Sequence, residues 1–433
     1  MKNNYYIAKI SSWFLCAGLV LSSCEKEPEM AVTSNEIIIE AIQTESATLG
    51  ISANVVWNIK TIQEEGWLTV SPMQGKGNAT ITIDATENIE FSERIAFIII
   101  SSEGIKTDTV KIIQTPTLDV AEKIADDIFR QFCLKEYDNS PKDGKISAKE
   151  ALSVMDINVK GLEIHSLTGI EYFTKIRKLF CSANNLSEIN ISKNKDIRIL
   201  DCSFNSSLTN IDVSELSKLT DLHIHSTKIQ NIDVSKNTNL ELLTTSSSPI
   251  KTLNLSENKE LTVLLCNDNQ LSELDVSKNT KLQMLYCANN KLSKIDLSAN
   301  VNLVNLWCNN QTDGNNRKLL TQIDISNNKV LQTFSCAQND ITNLDLSNNP
   351  ELTQLRCEEN QLTDLDISLN TKLGDLKCNN NKLTDAIDIS HNKLLKYIDL
   401  RKNPSLSIIK VWQGFNANNS YYEKDKNAQW VIQ

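Results

Sequence analysis

Several features that would point to a particular chemistry are missing from this 433-residue chain. No block of basic residues stands out and the formal net charge is −10, which argues against nucleic-acid binding. The sequence has no serine nucleophile elbow, no phosphate-binding glycine loop and no CxxC pair of the kind that holds zinc. We therefore expect a protein that is not an enzyme and that binds no nucleic acid.

The first 23 residues have the pattern of a secretion signal. Lys2 and Lys9 precede the apolar stretch 10–21, which is too short to span a bilayer as a helix. It ends in Leu21-Ser22-Ser23-Cys24, which resembles the lipobox of bacterial lipoproteins. The resemblance implies an acyl anchor such as palmitate on Cys24, with residues 24–30 as a tether. The acidic stretch 25–29 resembles a surface-export signal, so we expect an outer-membrane lipoprotein facing the cell exterior. The alternative is a plain signal peptide followed by a buried Cys24.

Residues 31–116 contain seven short β-rich runs at close spacing, which predicts an immunoglobulin-like β-sandwich. The runs are 36–42, 47–51, 54–59, 67–70, 79–84, 94–101 and 107–114. Trp57, Trp67-Leu68, Gly75-x-Gly77, Asn88 and Arg94 together resemble a BACON domain. That family is associated with carbohydrate or mucin binding, or with a spacer role. Because both tryptophans lie in strand patterns, we expect them to pack in the core.

Residues 117–175 form a junction that we expect to be helical. Apolar residues at helical spacing predict a helix over 118–137, and a second helix begins after Ser147, where Glu150 completes a capping box. The loop between them resembles an EF-hand or dockerin-type calcium loop, with Asp138, Asn139, Asp143 and Glu150 as candidate oxygen ligands. Pro141 stands where a ligand would be, so the alternative is a helical cap on the next domain without a metal.

Residues 176–411 repeat the 21-residue pattern LxxLxCxxNxLxxLDVSxNxx, which predicts a solenoid. The pattern resembles a leucine-rich repeat, in the nested form found in bacteria, and internalins in general type. We expect a parallel sheet on one side and shorter strands opposite. Residues 412–433 are expected to cap the end with aromatic side chains. The eleven coils begin at Ile176, Ile197, Leu219, Leu240, Leu261, Leu282, Leu303, Leu331, Leu352, Leu373 and Leu395.

The polar positions that recur from coil to coil have a structural interpretation. An asparagine after each strand can bond backbone groups that a tight turn leaves unpaired, and an aspartate two residues before a serine can do the same. Eight repeat cysteines occupy a buried position. Stacked rungs place neighbouring Cβ atoms ~4.8 Å apart, so we expect free thiols that act as small apolar groups. The eight are Cys181, Cys202, Cys266, Cys287, Cys308, Cys336, Cys357 and Cys378.

The outward strand positions are where the repeats differ, and function is expected there. Coils five to seven expose Val263, Leu265, Met284, Tyr286 and Trp307 together, and contiguous apolar side chains mark binding sites. Seven extra residues at 312–318 either form a lip beside this patch or fold over it.

A second group of outward residues has the chemistry of a metal site. Asp221, His223 and His225 share one face with Asp201, and these residue types can ligate a metal, although ordinary surface histidines are the alternative.

Two functional hypotheses follow from the sequence. In the first, a lipid-anchored monomer displays the repeat surface to bind a protein of the host or of another cell. In the second, the aromatic residues hold a glycan or mucin. No cofactor is expected apart from the possible calcium ion.

Overall fold

The computed structural model describes residues 26–64, 66–90, 92–139 and 142–433. The predicted signal peptide and Cys24 lie outside the described residues. The chain divides into two compact units, Met1–Thr117 and Leu118–Gln433, each with its own apolar core. Across the described residues, the helices are too short and too polar to cross a bilayer.

The first unit is a β-sandwich, as the sequence predicts. One sheet has the strand order β1-β3-β7-β5 and the other has the order β2-β9-β8-β4-β6. Two short strands, β1 and β6, were not visible in the sequence pattern. The strands are β1 (Met30–Val32), β2 (Glu36–Ile39), β3 (Ala47–Ala53), β4 (Val56–Ile62), β5 (Leu68–Ser71), β6 (Gln74–Lys76), β7 (Ala79–Ala85), β8 (Arg94–Ser101) and β9 (Asp108–Gln114).

Both tryptophans of the sandwich are structural. Trp57 is fully buried and its indole Nε1 donates to the Gly77 carbonyl at 2.9 Å. Trp67 is also buried, and the Arg94 guanidinium lies 4.8 Å from the centre of its ring. A buried indole needs a partner for its N–H, and Trp57 has one, so this ring serves the core as expected.

The junction has two short helices, α1 (Asp127–Tyr137) and α2 (Ala148–Ser153). The predicted start of the first helix at residue 118 is wrong. Asp126 caps the helix by accepting from the backbone N–H groups of Ile128 and Phe129, and a separate 3-10 turn, Ala121–Lys123, precedes it. Helix α2 begins after Ser147 with the complete capping box that the sequence predicts.

The second unit is a solenoid built on one 13-stranded sheet, parallel throughout. The sheet begins one coil before and ends one coil after the eleven predicted repeats. Its strands are β10 (Asp156–Asn158), β11 (Lys178–Phe180), β12 (Ile199–Asp201), β13 (Asp221–His223), β14 (Leu242–Thr244), β15 (Val263–Leu265), β16 (Met284–Tyr286), β17 (Asn305–Trp307), β18 (Thr333–Ser335), β19 (Gln354–Arg356), β20 (Asp375–Lys377), β22 (Tyr397–Asp399) and β24 (Tyr422–Glu423).

The expectation of a strand opposite every coil is wrong. In the described part of the solenoid, the opposite side carries strands only at its end: β21 (Asp385–Asp388), β23 (Leu406–Val411) and β25 (Gln429–Ile432). Elsewhere a buried asparagine closes tight turns; Asn279, for example, donates to the carbonyls of Leu255 and Asn258, both in the preceding coil. These turns replace extended backbone, so the predicted second sheet is confined to the last coils.

The carboxyl-terminal tail packs on the last coil as predicted. Trp412, Phe415, Tyr422 and Trp430 contact one another, with ring centroids between 4.8 and 6.5 Å apart, and pack against the core. This aromatic cluster covers apolar side chains that an open solenoid end would expose.

The asparagine that follows most of the strands joins neighbouring coils. In the regular case, Asn290 donates to the carbonyls of Cys266, Cys287 and Ala288 at 2.9, 3.0 and 3.2 Å, and its Oδ1 accepts from the Leu271 N–H at 3.0 Å. The residue before this position is left-handed in coils one to eleven, with φ between 53° and 59°, yet it is never glycine. Such a residue costs on the order of 1 kcal/mol, so the asparagine bonds hold a strained turn in place.

The repeat cysteines are buried and free, as predicted. Burial raises the pKa of Cys287 to about 12, which keeps the thiol protonated and unreactive. Each one fills the space beside the buried leucines as a small apolar group.

Two consecutive coils lack both the cysteine and the asparagine. Ile224 and Thr245 replace the cysteine, while Thr227 and Ser248 replace the asparagine. Thr227 and Ser248 contact each other at 3.2 Å and form fewer bonds to the adjacent backbone than Asn290 does. The coil-to-coil bonding is therefore weakest here among the regular repeats.

Candidate functional site

The predicted apolar patch lies on three adjacent strands, β15, β16 and β17. In the sheet register Val263 pairs with Met284, and Leu265 pairs with Tyr286, which pairs with Trp307. The alternation of the strands turns these side chains outward, while the residue between them is a buried leucine. The structure thus brings together the five residues that the sequence singled out.

The centre of the patch is a pair of stacked aromatic rings. The Tyr286 and Trp307 rings are 4.3 Å apart at their centroids and 9° from parallel. Trp307 keeps 37% of its surface exposed, whereas the other four side chains are half-buried. Partial burial also raises the pKa of Tyr286, so its hydroxyl stays neutral at physiological pH. The pair is an apolar platform in which the Trp307 ring is partly exposed.

The inserted loop does not bury Trp307, which stays partly exposed. Thr312 and Lys318 pair as an antiparallel bridge, and Asp313 accepts from the Asn315 and Arg317 backbone N–H groups at 2.9 Å. The Lys318 ammonium donates to the Glu359 carbonyl at 2.6 Å, two coils further on. The exposure of Trp307 argues against the alternative in which the loop folds over the patch.

Sequence reasoning missed one neighbour of the patch. Leu242 on β14 is half-buried, points outward and pairs with Val263, so it extends the apolar row by one coil. The spacing of 21 residues between Leu242 and Val263 was the signal that could have found it.

Beyond the insertion, the outer face becomes polar and charged. The Arg356 guanidinium lies 3.5 Å from the Asp375 carboxylate, which also accepts from the Gln354 amide at 2.8 Å. Glu358 is half-buried beside them, and this burial raises its pKa. The platform therefore has an apolar side toward β14 and a charged side toward β20.

The candidate calcium ligands lie in one loop but bond its own backbone. Asp138 accepts from the Gly144 N–H at 2.9 Å, and Glu150 accepts from the N–H groups of Asn139 and Ser147 at 2.8 and 2.9 Å. Asp143 accepts from Lys145 at 3.0 Å. Within the described residues, which leave out 140 and 141, no three acidic, histidine or cysteine side chains converge as a metal set. Calcium binding stays a prediction.

The alternative metal site near the start of the sheet is a hydrogen-bond network. His223 and His225 both place Nδ1 beside the Thr244 hydroxyl, at 3.2 and 3.1 Å. The Asp201 carboxylate accepts instead from the Ser203 N–H at 3.1 Å. Desolvation lowers the pKa of His225, which keeps its ring neutral.

The chain thus places a β-sandwich before a solenoid of stacked parallel coils, and each part is similar to known proteins. Residues 29–117 match the family described as "Viral BACON domain". No curated protein matches the chain.

Two solved structures place the solenoid among known folds. The functional domain of InlJ from Listeria monocytogenes, described as including a cysteine ladder, is 28% identical with a TM-score of 0.63, over 72% of this chain and 72% of that chain. An internalin, InlF, from the same organism is 20% identical with a TM-score of 0.50, over 73% of this chain and 97% of that chain; this likeness shows the fold alone.

Proposed function

We propose that this chain is a binding protein whose solenoid engages a protein partner through the outer face of β15–β17. The observation that carries the proposal is the stacked Tyr286–Trp307 pair. Trp307 is partly exposed, and Leu265 lies beside Tyr286 on the neighbouring strand. Tyrosine and tryptophan are enriched among the residues that dominate binding energy at protein interfaces. Their stacking fixes both rings before binding, so less conformational entropy is lost on association.

The surroundings of the pair support a protein partner over a small molecule. The pair lies on an open sheet face, whose strands are three residues long, rather than in an enclosed cleft. The half-buried Val263 and Met284 extend this face across neighbouring coils. Charged groups lie to one side, at Arg356 and Asp375. An apolar centre with a polar rim is the usual composition of a protein interface.

A glycan is the second candidate ligand, favoured by the open face of Trp307. An exposed flat indole can stack on a sugar ring, and the adjacent Tyr286 extends the platform. In this case soluble oligosaccharides should change the tryptophan fluorescence, and Trp307→Ala should remove the change. Protein binding predicts no response on a glycan array.

The experiment is a pull-down from a cell-surface protein extract with three immobilised proteins. These are the wild type, the Tyr286→Ala/Trp307→Ala double variant and Phe180→Ala. Phe180 is the matched control, because it holds the same outward position on β11. We expect a protein retained by the wild type and Phe180→Ala and lost by the double variant. Equal retention by all three would refute a site at this platform.

We also propose that Cys24 anchors the protein to the outer membrane through acyl chains, facing outward. The support is the tetrapeptide Leu21-Ser22-Ser23-Cys24 with the acidic stretch after it. Cys24→Ser should move the protein from the membrane fraction to the soluble fraction and abolish palmitate labelling. Cys16→Ser is the control and should leave anchoring unchanged. Membrane retention of Cys24→Ser would contradict the proposal.

A further inference from the structure

The β-sandwich has a second exposed apolar surface, on the outer face of its five-stranded sheet. In one row Ile38 pairs with Ile113, which pairs with Ile95. In the next row Phe97 pairs with Ile62. The exposed fractions are 63% for Ile38, 39% for Ile95, 38% for Phe97 and 50% for Ile62. We call these five residues the isoleucine face.

The opposite face of the same sandwich is polar. On the outer side of the four-stranded sheet, Thr48 pairs with Thr82, which pairs with Ser71, and Thr69 pairs with Asp84. Threonine has the β-branched shape that favours strands without an apolar surface. Strand propensity therefore does not explain why isoleucine and phenylalanine stand outward on only one of the two faces.

One of the lysines on this side of the sheet is paired within the face itself. Lys111 pairs with Glu36 at 3.8 Å in the row that contains Phe97, and both side chains are partly exposed. Lys60 lies at one side, opposite Ile99. A surface with its ion pair already formed needs no oppositely charged partner. Between two copies, repulsion of like charges therefore comes from groups outside the five apolar residues, such as Lys60.

The size of the face also fits pairing with itself. The five strands are 3 to 8 residues long and ~4.8 Å apart, so the whole sheet face covers on the order of 450 Å². This is the larger part of the roughly 800 Å² per partner that a specific interface buries. A flat sheet face packs well on another sheet, with the two sheets about 10 Å apart.

We propose that the isoleucine face is the interface of a homodimer, in which the five-stranded sheets of two copies pack face to face. The interface is isologous, so each residue on one copy meets the same surface on the other. The sequence led us to expect a monomer. The strand pattern alone does not show that the five-stranded sheet carries apolar side chains on its outer side as well as on the side that faces the core. Dimerisation would present two solenoid platforms at once and raise the avidity for a repeated partner.

The test is sedimentation velocity of residues 26–433, which contain the described parts of both units, over about a hundredfold range of concentration. We expect a monomer–dimer equilibrium in the wild type. Ile62→Lys should weaken association ~tenfold or more, since it places a charge directly beside Phe97 in the isoleucine face. Thr80→Lys, at an exposed position on the opposite face, is the matched control and should dimerise as the wild type does. Thermal unfolding midpoints close to that of the wild type exclude misfolding.

A second variant tests the contact directly. Ile95→Cys should form a disulfide between copies under mild oxidation, whereas Thr80→Cys should not. A wild type that stays monomeric over the whole range overturns the proposal, as does equal dimerisation of Ile62→Lys and the wild type. A face that instead captures only a different protein gives the monomeric result, so it also counts against a homodimer.

Discussion

The buried and outward positions of the same short strands differ in how much they vary. The middle residue is a buried leucine in most coils, with Phe334 and Ile398 as apolar exceptions. The outward residue beside it changes from coil to coil. It is, in order, Phe180, Asp201, His223, Thr244, Leu265, Tyr286, Trp307, Ser335, Arg356, Lys377 and Asp399. Stacking requires the interior to repeat, since each coil buries the next. The outer face has no such requirement, and recognition can therefore differ along the solenoid.

The largest effect is expected from breaking an interior position. Asn290→Ala removes three donated bonds and one accepted bond from a buried site, and the buried Leu271 N–H loses the acceptor that Asn290 provides. We expect the free energy of unfolding to fall by about 2–4 kcal/mol, measured by urea denaturation. Lys291→Ala, next to it and exposed, is the control. A loss below about 0.5 kcal/mol for Asn290→Ala would contradict the structural role of the asparagines.

The outward position should show the opposite behaviour. Trp307→Ala removes an exposed ring, so we expect stability within about 1 kcal/mol of the wild type. Binding of the partner should weaken ~tenfold or more. Surface plasmon resonance and thermal unfolding of the same preparation separate the two effects. A variant that unfolds as readily as Asn290→Ala would place Trp307 in the core instead.

A third variant restores the buried asparagine in one of the two consecutive coils that lack it. Ser248→Asn would place an amide where it can donate to the carbonyls of Ile224 and Thr245, as Asn290 does with its own neighbours. We expect a gain of about 0.5–1 kcal/mol. Hydrogen exchange should also slow in the third and fourth coils. Destabilisation by Ser248→Asn would show that the two coils are packed for serine and threonine.

The smallest effect concerns the exposed aspartates opposite the sheet. Asp275 accepts from the Ser277 N–H at 2.9 Å, and this backbone bond, with the Ser277 hydroxyl, lowers the pKa of the carboxyl. A lowered folded-state pKa stabilises the fold above the unfolded value of 3.8 and loses that contribution as the pH falls through the folded-state value. Asp275→Asn should therefore flatten the decline in melting temperature below about pH 4. An unchanged decline would contradict this.

Repetition explains how much of the fold could be predicted from the sequence. The leucines, cysteines and asparagines recur at 21 residues, so one coil predicts the next, and the buried free thiols and asparagine bonds are confirmed. The prediction of strands opposite the sheet was wrong because a second set of repeated asparagines, such as Asn279, closes turns there. A pattern of apolar residues alone does not distinguish a tight turn from a strand. The first helix was placed too early because Asp126 caps it inside an apolar stretch.

The candidate site was predictable in its members but not in its geometry. The repeat register placed Leu265, Tyr286 and Trp307 side by side, as the sheet has them. Their ring stacking and the position of the inserted loop depend on side-chain packing that no periodicity encodes. The isoleucine face was missed for a related reason. Its residues come from four strands, and their adjacency follows from sheet order rather than from spacing along the chain.

The most direct test of the central claim measures binding and unfolding of one double variant, Tyr286→Ala/Trp307→Ala, beside Phe180→Ala. The outward face of β15–β17 is predicted to carry recognition. The double variant should therefore lose the partner that the wild type retains and unfold at nearly the same urea concentration. Phe180→Ala should keep both properties. Full retention of the partner by a folded double variant would contradict the account.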